Sequence, residues 1–208
     1  MDARVQTDVL ADHAASAAWA MALLEARQTI LPKRLEAPGP DAGQLRQILA
    51  AAAHAPDHDR RLPWRFVIIP EARRADLAEA FAQALQERDA QATPAQLQQA
   101  RDKAFRAPLL MLAVAQLAPA GDEIPDVERF ISAGCAVQNM LLVATAQGYG
   151  SALTSGKAMG SAPLPALFGL RPDEQALCFI SVGTPAARRP ARHRPQPHEY
   201  TSELGNET

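Results

Sequence analysis

Residues 109–117 form an almost uninterrupted apolar run, Leu-Leu-Met-Leu-Ala-Val-Ala-Gln-Leu, directly after Pro108. Nine residues are too few to cross a membrane, for which a helix needs about 20. A run of this length is typical of a strand that is buried on both of its faces. Other elements must cover both sides of such a strand, so the sequence predicts a layered fold.

The remaining segments predict more helices than strands. Six stretches have the composition of helices, namely residues 7–28, 41–53, 71–91, 93–105, 127–147 and 163–168. Residues 64–69 and 176–182 are rich in β-branched and aromatic side chains and predict two further strands. The helices are spaced too unevenly for a regular βαβ array, so the sequence favours an α+β fold. Residues 149–160 are small and polar and predict a loop.

Composition excludes several classes of protein. A chain of 208 residues suggests one domain, and 48% hydrophobic with 21% charged residues indicates a globular protein. A net charge of −2 gives no basic footprint for nucleic acid or for a membrane surface. Cys135 and Cys178 match no zinc or redox spacing, and residues 14–26 lack the positive flank of a signal peptide. We therefore expect a reduced, cytoplasmic protein.

Three short motifs suggest ligand sites but lack the context that each requires. Residues 148–150, Gly-Tyr-Gly, follow a predicted helix and lack the third glycine of a dinucleotide fingerprint. Residues 155–157, Ser-Gly-Lys, lack the Ser or Thr that follows the lysine of a P-loop. His54 and His58 have the spacing of a metal-binding pair, but Pro56 interrupts the helix between them. A local turn is the better interpretation there.

Two segments remain as candidates for binding a phosphate and a flat ring. Arg27, Gln28 and Thr29 follow the first helix, where a guanidinium can hold a phosphate or simply complement the helix dipole. Residues 148–156 are small enough for the backbone to approach a flat ligand, or they form a plain tight connection. Four arginines near the C-terminus offer a further phosphate contact or a solvated charge run: Arg188, Arg189, Arg192 and Arg194.

Taken in order along the chain, seven segments resemble the nitroreductase family. They are Arg-Gln-Thr at 27–29, Ala-Pro-Asp-His at 55–58, Pro-Trp-Arg-Phe at 63–66, Phe-Arg-Ala-Pro-Leu at 105–109, Ser-Ala-Gly-Cys-Ala-Val-Gln at 132–138, Ala-Gln-Gly-Tyr-Gly at 146–150 and Gly-Thr-Pro at 183–185. The resemblance is to the short bacterial branch of FMN-dependent NAD(P)H nitroreductases. It implies an FMN-binding domain at 20–190, a partly helical N-terminal extension at 1–19 and a C-terminal tail at 191–208.

The resemblance also implies a structure and a set of cofactor contacts. The implied fold is an α+β sandwich with a mostly antiparallel sheet wrapped by helices, assembled as a homodimer with FMN at the interface. The implied FMN contacts are Arg27, Gln28 and Thr29 at the phosphate and ribityl chain, His54 and His58 at the flavin, and Leu153, Thr154 and Ser155 along its ring. The implied nicotinamide-nucleotide contacts are Val143, Ala144, Thr145, Ala146, Gln147 and Gly148. Leu153 and Thr154 stand where the nearest family pattern has Trp and Arg.

The implied activity is a ping-pong reaction. NAD(P)H reduces FMN and leaves, and a nitroaromatic, a quinone or a related acceptor then takes the two electrons. Because the cofactor carries this chemistry, no single catalytic residue and no metal is implied. Three alternatives remain open at this stage: a family member with other flavin chemistry, a flavin-binding module with little turnover, and a flavin-free interaction protein.

Overall fold

The computed structural model describes residues 12–187 and 193–205. Six α-helices lie in this part of the chain: α1 (His13–Ala26), α2 (Ala42–Ala52), α3 (Arg74–Arg88), α4 (Pro94–Asp102), α5 (Asp126–Ala146) and α6 (Pro163–Phe168). It also contains five strands: β1 (Leu35–Glu36), β2 (Trp64–Ile68), β3 (Leu109–Gln116), β4 (Gly150–Thr154) and β5 (Glu174–Pro185). The α+β organisation predicted from the sequence is confirmed.

The strands form one antiparallel sheet in which β5 is the longest member. The order is β1-β5-β3-β2, and β4 also pairs with β5, opposite residues 179–183. Seven of the eight residues of β3 are buried. This confirms the prediction that residues 109–117 form a strand covered on both faces.

The two faces of the sheet carry separate parts of the core. Leu109, Met111 and Ala113 point to one face and pack with apolar side chains of α2 and α5. Leu110 and Leu112 point to the other face and pack with side chains of α3 and α6. We call these two sides the α5 face and the α3 face of the sheet. Side chains of β3 alternate between them because successive residues of a strand point in opposite directions.

Most helix boundaries follow local sequence signals. Asp41 and Thr93 accept hydrogen bonds at the N-termini of α2 and α4, and each helix has a capping box with Gln at its third position. The predicted helices 71–91 and 93–105 are shorter in the structure, because residues 71–73 and 103–105 form 3₁₀ turns. The predicted start of the first helix at residue 7 lies outside the described residues. Within the described ranges, none of the helices is both long and apolar enough to span a membrane.

Strand β4 is the main difference from the sequence prediction, which placed a loop at residues 149–160. It pairs with β5 from Gly150 opposite Gly183 to Thr154 opposite Phe179. A Cβ atom at Gly150 would lie 2.9 Å from Cγ1 of Ile30, so the absence of a side chain lets Ile30 pack against the strand. The pattern of side chains did not predict this strand, because backbone groups on the edge of β5 provide the pairing whatever the side chains are.

Candidate functional site

The chain segment after α1 lies along the outer edge of β4. Thr29 forms a single parallel bridge with Ser151, and the amide of Ile30 donates a hydrogen bond to the Ser151 carbonyl at 2.9 Å. Arg27 is the C-cap residue of α1, two residues before this bridge. The structure therefore brings two of the predicted segments, residues 27–29 and residues 153–155, to one edge of the sheet.

Side chains of β4 point to different faces of the sheet. Thr154 lies opposite Phe179, which belongs to the core of the α3 face. Leu153 lies opposite Ile180, which belongs to the core of the α5 face. Of these two residues, only Thr154 therefore points towards the α3 face, where a wide cleft opens beside the strand.

This cleft has a volume of about 540 Å³, within the range of roughly 300–1,000 Å³ that is typical of small-molecule sites. Apolar side chains form much of its lining: Phe81, Leu85, Leu110, Met159 and Phe179. The rings of Phe81 and Phe179 meet edge to face with centroids 5.4 Å apart. Thr154 and Gly156 line the cleft on the strand side. The cleft thus offers an apolar, partly aromatic surface beside an exposed strand edge.

Four basic side chains complete the lining of the cleft: Arg88, Lys103, Arg106 and Lys157. None of the described residues that line it is acidic. Six other arginines have a carboxylate oxygen within 4.0 Å, namely Arg61, Arg65, Arg73, Arg101, Arg129 and Arg171. The four cleft cations have no such partner among the described residues. A cavity lined by charges of one sign raises the local concentration of oppositely charged ligands, so the cleft favours an anionic one.

The segment around Arg27 is a second place where positive charge gathers. A guanidinium nitrogen of Arg194 donates to the carbonyl oxygen of Arg27 at 3.4 Å. Neither of these arginines, nor Lys33 and Arg34, forms an ion pair within the described ranges. Arg188, Arg189 and Arg192, which the sequence offers as further phosphate contacts, lie outside the described residues.

His54 and His58 lie on the α5 side of the molecule. His54 is exposed just after α2, whereas Nδ1 of His58 is 2.9 Å from a carboxylate oxygen of Glu128 at the start of α5. This hydrogen bond raises the pKa of His58 above its ordinary value of 6.5. The structure thus does not bring either histidine into the cleft of the same chain.

The loop around His58 has an unusual backbone. Asp59, Arg60 and Leu62 have φ angles of 54°, 55° and 49°, a left-handed conformation that is uncommon for residues other than glycine. One oxygen of Asp57 accepts from the amide of Leu62 at 3.0 Å, while the other is buried without a hydrogen-bond partner among the described residues. Strain of this kind is concentrated at functional sites in many proteins.

Residues 143–148 end α5 and pack mainly against their own helix and α2. Ala144 is fully buried, the hydroxyl of Thr145 donates to the Leu141 carbonyl, and the amide of Gln147 donates to the Gln47 side chain at 2.8 Å. Gly148 has a φ of 89°, which suits a helix C-terminus. Thr145 also lines a cavity of about 130 Å³ together with Gln28.

Comparison with known proteins identifies the family of the chain. The chain matches the family model described as "Nitroreductase family" over residues 24–184. The chain belongs to the nitroreductase family. It is 33% identical over 165 residues to a "Putative NAD(P)H nitroreductase" of Haemophilus influenzae, which covers 79% of this chain and 88% of that protein. It is 36% identical over 154 residues to "Putative NAD(P)H nitroreductase YdjA" of Escherichia coli K12, which covers 73% of this chain and 81% of that protein.

Solved structures of other nitroreductases share the fold. A nitroreductase-like protein from Bacillus cereus has a TM-score of 0.76 at 18% identity, over 88% of this chain and 95% of that one. A variant of the FMN and NADPH-dependent nitroreductase NfnB from Sphigopyxis sp. strain HMH has a TM-score of 0.70 at 18% identity, over 90% and 99%. The nitroreductase fold implied by the ordered sequence motifs is thereby confirmed.

The sequence predicted no binding role for any of the four cations of the cleft. Arg106 lies inside the family-like segment at 105–109, and Lys157 belongs to the Ser-Gly-Lys motif that fails as a P-loop. Lys103 and Arg88 follow no recognisable pattern, because they end separate helical segments that only the tertiary structure brings together. No group of three or more metal-binding side chains occurs within the described part of this nitroreductase-family chain.

Proposed function

We propose that this chain is an FMN-dependent oxidoreductase that uses NAD(P)H to reduce nitroaromatic compounds, quinones or related acceptors. The observation that carries the proposal is the cleft beside β4, which combines an apolar, aromatic lining with four cations that have no ion-pair partner among the described residues. FMN has the matching chemistry, since its ring system is flat and apolar on its faces and carries negative charge when it is reduced. The names of the Haemophilus influenzae and Escherichia coli relatives support the same activity.

The residues of the cleft and of the β4 edge fit FMN. Phe81, Phe179 and Met159 provide an apolar surface for a ring. Within the described residues, the segment after α1 makes backbone hydrogen bonds with β4 at Ser151 and not beyond it. Backbone groups on the outer edge of residues 153–155 are therefore available for the polar edge of the flavin. Arg27 and Thr29 would hold the phosphate and ribityl chain, with Arg194 beside them.

When bound, FMN supplies hydride transfer between NAD(P)H and the acceptor in two successive half-reactions, which is a ping-pong scheme. The protein binds and orients the cofactor, and it excludes water from one side of the cleft through its apolar lining. Lys103, Arg106 and Lys157 would stabilise negative charge that accumulates in the cleft. Solvent can supply the protons, so we assign no single catalytic residue.

We further propose that two chains form a homodimer through an apolar surface on α1 and α5. We call this the α1–α5 surface and define it by Trp19, Met21, Leu24, Val127 and Ile131, which are between 45% and 78% exposed. None of the residues of α1 is buried within the chain. A 14-residue helix that buries so little is only marginally stable in water on its own, which supports a partner surface on α1 beyond its contact with α5 of the same chain.

The position of the two histidines also bears on the proposed homodimer. His54 and His58 lie on the α5 side of their own chain, near the start of α5. In a dimer built on α5, both histidines would lie close to the subunit interface, and their contact with FMN stays a prediction. The contact of residues 143–148 with the nicotinamide nucleotide stays a prediction, and the burial of Ala144 argues that this segment mainly supports α2 and α5.

The thiols are consistent with a cytoplasmic location, where NAD(P)H is available. Cys135 and Cys178 are both free, and burial raises the pKa of Cys178 to about 11. A thiol with so high a pKa stays protonated near pH 7 and is a poor nucleophile. We therefore propose that Cys178 takes no part in the reaction.

The cofactor is tested by the visible absorption spectrum of the purified protein, followed by heat release and identification of any chromophore. We expect flavin bands and about one FMN per chain. Steady-state oxidation of NADH and NADPH with nitroaromatic and quinone acceptors then tests turnover. A colourless protein that takes up no added FMN would overturn the proposal, and bound FMN without turnover would identify a flavin-binding module.

The dimer is tested by light scattering on Ile131→Glu, which places a charge in the α1–α5 surface. We expect a monomer with reduced FMN content, because the pocket would lose its second subunit. Gln83→Glu adds the same charge to an exposed position of α3 and serves as the control, expected to remain dimeric. A wild-type protein that is monomeric with full FMN content would exclude the composite pocket.

A further inference from the structure

The cleft carries more positive charge than FMN requires. The proposed phosphate contacts, Arg27, Thr29 and Arg194, lie at the outer edge of β4 and do not line the cleft. Negative charge on a flavin ring calls for one nearby cation or a few donors. Lys157 follows β4, and Lys103 and Arg106 follow α4, so these three are placed to serve the ring. Arg88 then remains without an assigned role.

Arg88 occupies a distinct position in the lining. It is the last residue of α3, and Gln99 of the neighbouring helix α4 also lines the cleft. Neither side chain has a hydrogen-bond or ion-pair partner among the described residues. Arg101, on the same helix as Gln99, is instead held by Glu79 at 2.7 Å. Of the guanidinium groups of Arg88 and Arg101, only that of Arg88 lines the cleft and has no ion-pair partner among the described residues.

We propose that Arg88, assisted by Gln99, binds an oxyanion of the molecule that exchanges electrons with the flavin, so that the cleft selects anionic substrates. The oxyanion is a carboxylate or phosphate, which a guanidinium can hold with two hydrogen bonds. Two sources have this chemistry: an aromatic acceptor with a carboxylate, and the additional phosphate of NADPH. The inference rests on the proposed function, because it assigns a substrate class to the same cleft.

The kinetic test compares 4-nitrobenzoate with its neutral analogue 4-nitrobenzamide in the wild-type holoenzyme and in Arg88→Gln. If the acceptor supplies the oxyanion, we expect kcat/KM for 4-nitrobenzoate to fall roughly 10- to 100-fold, as for a lost hydrogen bond to a charged group. The value for 4-nitrobenzamide should change less than about twofold. If NADPH supplies it, the ratio of kcat/KM for NADPH over NADH should fall instead. Arg101→Gln is the control and should leave both ratios unchanged.

A binding measurement separates this inference from the proposed function. Calorimetric titration with benzoate and with benzamide reports recognition of the anion without turnover. We expect tighter binding of benzoate by wild type, and loss of that preference in Arg88→Gln. If both kinetic ratios and the benzoate preference survive the substitution, Arg88 only complements the dipole of α3 and the inference is wrong. A wild-type protein without flavin or turnover that still prefers benzoate would contradict the proposed function alone.

Discussion

The cations of this molecule fall into two regions with different surroundings. In the first region, which we call the framework, the arginines donate hydrogen bonds to oxygen atoms of the protein. Arg65 makes two hydrogen bonds to Glu174, at 2.6 and 2.9 Å. Arg74 donates to three backbone carbonyls. The cations of the cleft, such as Arg106 and Lys157, have no carboxylate partner in the described part of the chain.

Desolvation explains the difference. A charge that is removed from water needs hydrogen-bond partners within the protein, because an unpaired buried charge is strongly destabilising. Arg74 is only 5% exposed and meets this requirement. Lys103 and Lys157 are exposed and can remain unpaired at little cost until a ligand arrives. Stability and binding should therefore respond to different sets of cations, and substitutions can test that separation.

The largest effect on stability is expected from Arg74→Met. The guanidinium donates to the carbonyls of Ile69, Ala104 and Pro108, at 3.0, 2.6 and 3.2 Å. Loss of three charged hydrogen bonds that leaves buried carbonyls unsatisfied should lower the free energy of unfolding by about 3–5 kcal/mol, measured by urea denaturation. Arg73→Met, at the exposed neighbouring position, is the control and should stay within about 0.5 kcal/mol of wild type. Equal stabilities of the two variants would contradict the assignment of Arg74 to the framework.

A pH-dependent loss is expected from Glu174→Gln. Hydrogen bonds from Arg65 lower the pKa of Glu174 from 4.5 to about 2. A lowered pKa stabilises the fold above pH 4.5, and this contribution is lost as the pH falls from 4.5 towards 2. The variant should be less stable by about 1.5–3 kcal/mol at pH 7, and its stability should vary less with pH across that interval. Parallel stability–pH curves for wild type and variant would show that the pair contributes nothing through ionisation.

Arg27→Ala should weaken cofactor binding without lowering stability, the opposite of the two framework variants. It removes a cation that has no carboxylate partner within the described residues. The free energy of unfolding of the apoprotein should stay close to that of wild type. Affinity for FMN should fall by about 1.5–3 kcal/mol, the range for a hydrogen bond to a charged group. Fluorescence titration of the apoprotein with FMN measures this change, and riboflavin, which lacks the phosphate, should lose no affinity. An equal loss for FMN and riboflavin would argue against a phosphate contact.

The sequence predicted the framework well because its signals are local. The apolar run at 109–117 requires burial on both faces, and Asp41 and Thr93 determine the starts of α2 and α4. Strand β4 was not predicted, because its small residues have low strand propensity. These residues form a strand through their backbone pairing with β5. Secondary structure that depends on a distant partner leaves no periodic pattern in its own segment.

The cleft was predicted less completely for a related reason. Thr154 was identified through the resemblance to a family, which carries information about the whole fold. Arg88, Lys103 and Lys157 come from three separate segments, each with an ordinary surface composition. Their significance lies in the absence of an ion-pair partner within 4.0 Å among the described residues, which depends on three-dimensional neighbours and cannot be derived from spacing along the chain.

The smallest effect is expected at His58, whose surroundings combine features of both regions, since it is exposed yet paired with Glu128. The hydrogen bond to Glu128 raises the pKa of His58, so the pair stabilises the fold below pH 6.5 and loses that contribution as the pH rises through the raised pKa. Glu128→Gln should bring the pKa of His58 back towards 6.5 with little change in stability, because exposed ion pairs contribute little.

An NMR titration measures the pKa of His58, and the His58→Gln variant identifies which resonance belongs to His58. If His58 also contacts a flavin across the dimer, FMN should shift the titration curve of His58. Identical His58 curves with and without FMN would place His58 with the framework rather than with the binding site.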